Sequence, residues 1–188
     1  MKYTEYLEHH LGNIEYGWSK DSEGNNTPFQ VVKYSGGPFS GTVTYSTLGL
    51  SNVGFISPIS KKLIRQELIF VSYSNFGDKN IPGLLQQVGA RMLNKQHPYL
   101  RGDVIGPYGK LFDVTELEAL YVTKPVYFSD SFHTFNPTEG SPIVQTWLVP
   151  ITANEANFIA NNGWDKFEDK LVDINPDLVD FNRSSIIP

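Results

Sequence analysis

The chain has 188 residues, no cysteine and a formal charge of -5 from 20 acidic and 15 basic side chains. One folded domain over residues 1–188 is expected, because the length suffices for a core and a content 40% hydrophobic and 13% aromatic excludes a disordered chain. The missing cysteine excludes a disulfide scaffold, a thiolate zinc site and a cysteine nucleophile, and the acidic balance argues against direct nucleic-acid binding.

At the N-terminus a charged or polar group falls every two or three residues, so no signal peptide is read there. No run approaches the roughly 18 apolar residues of a membrane helix. A cytoplasmic protein without membrane association is the expectation. Tyr3, Tyr6, Leu7, Leu11 and Ile14 recur at helical spacing, with Gly12 as a stop. Ser19–Pro28 reads as a loop, and a strand follows over 29–34.

The stretch Pro38–Asn52, "PFSGTVTYSTLGLSN", holds four Ser or Thr residues within Thr42–Thr47. Strand alternation puts Val43, Tyr45 and Thr47 on one face and Thr42, Thr44 and Ser46 on the other. No G-x-S-x-G elbow is present, and Gly36-Gly37-Pro38 is better explained by a tight turn than by a phosphate cradle. A structural strand over about 41–48 with one polar face is therefore expected.

A longer strand is expected over 62–74. A helix follows, with Ile81, Leu84, Leu85, Val88 and Met92 on one face, Asp78 or Asn80 as cap and Pro82 in the first turn. Residues 98–109 read as loop. Short strands are expected over 119–129, interrupted at Pro125, and another over 142–151.

The C-terminal part carries the clearest local signals. Thr152 and Glu155 have the spacing of a capping box, and Gly163 closes that helix. A second helix has Trp164, Phe167, Leu171 and Ile174 on its apolar face, with the first three expected to be mostly buried, and Pro176 limits it. Asp165, Asp169 and Asp173 fall at i, i+4 and i+8 and form an outward stripe, flanked by Glu168. Residues 151–188 hold seven acidic and three basic side chains, whereas residues 1–150 are nearly balanced. Helices at both ends, strands between them and one interrupting helix predict an α+β domain. Its sheet is mixed and mainly antiparallel, with helices packed on it.

His9, His10, His97 and His133 show no metal-ligand spacing, and no metal or cofactor is expected. The paired carboxylates Glu116/Glu118 and Glu168/Asp169 have no burial signal that would make one a general acid. No catalytic signal emerges.

Two segments, "GTVTYSTLGLSN" (41–52) and "WLVPITANEANFIANNGWDKFEDKL" (147–171), resemble the suppressor of fused domain family, with order and spacing that suit it over about 25–185. The chain resembles the small bacterial branch of single domains, which often serve as immunity proteins, or antitoxins, against toxins that include nucleases. The resemblance implies a non-catalytic protein that holds a protein partner, here a cognate toxin. It supplies no contact residues. Charge alone nominates Asp165, Glu168, Asp169 and Asp173 to meet a basic toxin surface. Two other readings stay open. One is a hydrolase or ligand-binding enzyme joining Ser46 or Ser51 to His97 or His133. The other is a scaffold that binds a peptide at a sheet edge. The oligomeric state is not legible.

Overall fold

The first helix, α1 (Tyr3–Leu11), buries Tyr6, Leu7 and Leu11 and stops at Gly12. A strand not foreseen from the sequence, β1 (Ile14–Lys20), follows at once. It is almost wholly exposed and pairs on one side only, with two register shifts, so it lacks the apolar alternation that marks a strand in sequence. The expected loop shrinks to the turn between β1 and β2 (Asn26–Tyr34). There the Asp21 carboxylate accepts from the amides of Glu23 and Asn25, both at 2.9 Å.

β3 (Thr42–Leu48), the two-residue β4 (Phe55–Ile56) and β5 (Leu63–Tyr73) come next, then α2 (Ile81–Lys95). After them run β6 (Val104–Ile105), β7 (Leu117–Thr123), β8 (Thr134–Phe135) and β9 (Ile143–Thr152). Two helices end the chain, α3 (Ala153–Asn162) and α4 (Trp164–Ile174). The computed structural model describes all of Met1–Pro188.

The architecture is α+β with a mixed, mainly antiparallel sheet, as expected. The chain packs as two compact units. One takes Met1–Tyr99 and Lys124–Trp147; the other takes Leu100–Thr123 and Leu148–Pro188. In the first, the strand order is β1-β2-β3-β5-β9, antiparallel except for the parallel pair β5–β9. The helix α2 lies on β2, β3 and β5. It buries Ile81, Leu84, Leu85, Val88 and Met92, the apolar face read from the sequence, at about 1.5–3 kcal/mol for each fully buried side chain. In the second unit, the end of β9 neighbours β7, β7 pairs with β6, and α3 and α4 complete the unit.

Two expectations change at this level. The strand β3 has no exposed polar face, since every residue from Thr42 to Thr47 is buried. It sits between β2 and β5 and is covered on both faces, a position that alternation of polar and apolar residues does not reveal. Asn80 occupies the N-cap position of α2 without a side-chain cap bond. Asp78 does not cap either; its Oδ1 accepts from Lys33 Nζ at 2.8 Å and from the Tyr45 hydroxyl at 2.7 Å.

Candidate functional site

The acidic helix α4 belongs to the second unit. Asp165, Asp169 and Asp173 are exposed, and none enters an ion pair. Phe167 is fully buried and Leu171 half-buried on the opposite side, as the amphipathic reading expects, but Ile174, read into the same apolar face, is exposed at the last turn. Trp164, expected in the core, is 38% exposed at the start of the helix. It lies against Gly102 and under the guanidinium of Arg101, whose Cζ is 5.0 Å from the ring centroid. Gly102 has φ +97°, and a Cβ there would run into the indole, so a glycine is required on both counts.

Glu168 does not join the outward row. Arg101 grips its carboxylate with two nitrogens, Nε to Oε1 at 2.9 Å and Nη2 to Oε2. The Tyr121 hydroxyl donates to Oε1 at 2.7 Å. Burial alone would push the Glu168 carboxyl up, but Arg101 and Tyr121 outweigh it and hold the group below the ordinary range. Its work is internal: it ties α4 to β7 and to the turn before β6. The outward acidic row is therefore Asp165, Asp169 and Asp173.

The capping box forms as read. The Thr152 hydroxyl accepts from Glu155 N at 3.3 Å, and Thr152 N donates to Glu155 Oε2 at 2.8 Å. Glu155 has a second partner that the sequence did not disclose. Arg183 donates from Nη1 to Oε1 at 2.7 Å and from Nη2 to Oε2 at 2.9 Å, and Ile186 N donates to Oε1 at 3.0 Å. Both side chains are nearly or fully out of solvent. The C-terminal segment is thereby clamped onto the start of α3.

In the first unit, the hydroxyl-rich stretch has a definite purpose. Glu67, in the middle of β5, is fully buried. Its Oε2 accepts from Thr47 Oγ1 at 2.6 Å. Its Oε1 accepts from Gly49 N at 2.9 Å, Ser51 N at 3.0 Å and Ser51 Oγ at 2.6 Å. Gly49 has φ +102°, the left-handed geometry that lets the chain leave β3 and turn its amide back to Glu67. Arg65, two residues before Glu67, donates from Nε to Ser51 O at 2.6 Å. Alternate residues of "STLGLS", Thr47, Gly49 and Ser51, are thus the donors of a carboxylate cradle. Leu48, Gly49 and Asn52 also form one wall of a shallow cleft of about 320 Å³, lined further by Ser19, Asn26, Thr27 and Gln30.

The serines and histidines of the enzymatic reading are not brought together. Ser46 Oγ donates to Thr47 O at 2.8 Å, and Ser51 Oγ is committed to Glu67. His133 Nε2 lies 3.1 Å from Pro125 O, and His97 is exposed. No cluster of three or more His, Cys, Asp or Glu residues is placed to hold a metal ion, and no helix is long and apolar enough to cross a membrane.

Comparison with known proteins decides the family. The family model for suppressor of fused protein matches residues 25–184. The chain belongs to the suppressor of fused family. No curated protein matches it in sequence. Among solved structures, it is similar to a Neisseria gonorrhoeae FA 1090 protein described as a suppressor of fused homolog. That match has TM-score 0.75 and 17% identity, and covers 98% of this chain and 92% of the other. A chain from a Sufu–Fu complex aligns with TM-score 0.69 and 15% identity, over 97% of this chain and 89% of that one. Drosophila Suppressor of Fused aligns with TM-score 0.66 and 14% identity. There the match covers 97% of this chain but only 49% of the Drosophila chain, so this suppressor of fused domain spans about half its length. At such identities the likeness is one of fold. The matched span includes both segments that carry the resemblance in sequence, residues 41–52, which supply the donors to Glu67, and residues 147–171, which hold α3 and most of α4.

Proposed function

We propose that this suppressor of fused domain is a non-catalytic protein-binding module, an immunity protein that neutralises a cognate bacterial toxin in the cytoplasm by holding it. The observation that carries the protein-binding part is family membership, together with the relative of the same fold solved as a Sufu–Fu complex. The toxin is the finer step and rests on the resemblance to the small single-domain branch. It gains support from charge. Asp165, Asp169 and Asp173 present three unpaired carboxylates along one exposed helix face. A nuclease toxin exposes a basic groove for phosphate, and such a row complements it, which speeds encounter and favours the right partner. Glu168 supports this surface from behind through Arg101 rather than touching the partner. No cofactor or metal takes part in this reading.

The test is co-expression with the product of a toxin-like gene adjoining its own, followed by affinity capture through a tag on this chain. A stoichiometric complex that survives washing supports the reading. Failure of the two purified proteins to associate at micromolar concentration rejects it.

A further inference from the structure

Glu67 carries a tension that the partner-binding role leaves unused. It is fully buried, and no ion pair forms at it. All four of its close partners donate: two hydroxyls and two amides. Such a cradle suits an ionised carboxylate, because each donor stabilises negative charge, yet burial without a cation works against ionisation. Burial prevails, and the carboxyl lies above its ordinary range despite the four donors.

Protonation has a clear structural consequence. Oε1 already takes three donors, so a proton fits best on Oε2, whose one hydrogen-bond partner is Thr47 Oγ1. That oxygen already accepts from Leu68 N at 2.8 Å. Once it also accepts from Glu67, its own proton loses its acceptor. A neutral carboxyl is also the weaker acceptor for the amides of Gly49 and Ser51 at Oε1. The Arg65 bond to Ser51 O and the turn's own backbone bonds, Asn52 N to Gly49 O at 3.1 Å and Val53 N to Leu50 O at 3.2 Å, do not depend on the charge of Glu67, so the tie of the turn to β5 is what weakens.

We propose that Glu67 is a proton-operated latch on the Leu48–Asn52 turn: ionised, it pins Thr47, Gly49 and Ser51 against β5, and on protonation it releases the turn and reshapes the wall of the cleft lined by Gln30, Leu48 and Asn52. The surrounding groups leave this switch to Glu67. The ionisable groups that feel its charge are the Tyr3 hydroxyl of α1, bonded to Gln145 of β9, and the Tyr34 hydroxyl of β2. Both tyrosines are pushed upward by burial and stay neutral. From its own strand, the Arg65 guanidinium is turned to the carbonyls of Ser51 and Ser141 and forms no ion pair with Glu67.

The experiment follows amide exchange of Gly49 and Ser51 by NMR between pH 4 and pH 8, corrected for intrinsic exchange, beside a carboxyl-carbon titration of Glu67. Protection of these two amides should fall by about tenfold or more on acidification, with the midpoint of the Glu67 titration, while β5 amides such as Phe70 keep theirs. Glu67→Gln, neutral at every pH, should show the low-pH level throughout. Should that variant fail to fold, Ser51→Ala removes one donor, keeps the amide and should move the midpoint upward. Flat Gly49 and Ser51 protection across the range, or a loss shared equally by Phe70, overturns the proposal. So does a folded Glu67→Gln protein with full protection, or an unmoved midpoint in Ser51→Ala.

Discussion

Removing Arg183 probes the most deeply buried charge pair in the molecule. Arg183→Leu strips two charge-assisted bonds from Glu155 and one from Pro150 O, 3.1 Å from Nη2. Taking one partner from a buried ion pair costs about 3–5 kcal/mol, since the other charge stays behind uncompensated. Glu155 retains the amides of Thr152 and Ile186, so the lower end, about 3 kcal/mol, is expected. For a chain of this size that lowers Tm by about 6–12 °C. The loss should also depend on pH. Burial alone would raise the Glu155 carboxyl, but Arg183 and the two amides outweigh it and hold it below its ordinary value of 4.5. A carboxyl held low when folded contributes stability that is full above its unfolded pKa and is lost as pH falls through the folded one. Without Arg183 that downward pull is gone, and acidification relieves the stranded charge. Melting curves of both proteins at pH 7, 5.5 and 4 should therefore show a gap that narrows toward acid. Pairing Arg183→Leu with Glu155→Leu should restore part of the lost stability at pH 7. A gap under about 1 kcal/mol at pH 7, or one as wide at pH 4, would refute the reasoning.

Thr152→Ala removes the acceptor for Glu155 N and should destabilise the fold by about 1 kcal/mol, read as a lower thermal midpoint. Chelator should leave the melting temperature unchanged, because neither fold nor binding is expected to use a metal; a downward shift would reveal one. Reversing the outward row with Asp165→Lys and Asp169→Lys should slow association with the cognate toxin and flatten its salt dependence in stopped-flow measurements. Stability should change by no more than about 1 kcal/mol, since neither carboxylate is paired. Identical on-rates and salt slopes would remove α4 from the interface.

Elements with strong local signals were legible in the sequence. The apolar stripe of α2 and the Thr152–Glu155 box both depend on residues within one or two turns of each other. The strand β1 escaped because its side chains mostly face solvent and its pairing is irregular. The buried face of Thr42–Ser46 escaped because its burial is a property of tertiary neighbours, β5 beside it and α2 upon it, that lie more than 20 residues away. Glu67 left a signal that passed unused: a charge inside the apolar run "LIRQELIFV" has no room for water and must find its donors elsewhere. Its donors sit in the stretch Thr47–Ser51. The partners Arg101 of Glu168 and Arg183 of Glu155 lie 67 and 28 residues away, beyond any spacing rule. For that reason spacing alone cannot separate Glu168 from the exposed aspartates, although its carboxylate turns inward to Arg101 and Tyr121.

The most direct test of the partner-holding role is a stoichiometric titration. The toxic activity of the product of the adjoining gene is measured against increasing amounts of this purified domain. Activity should fall linearly to complete inhibition at a fixed, small-integer ratio, with no turnover of either protein. A toxin that stays fully active in excess of the domain would contradict it.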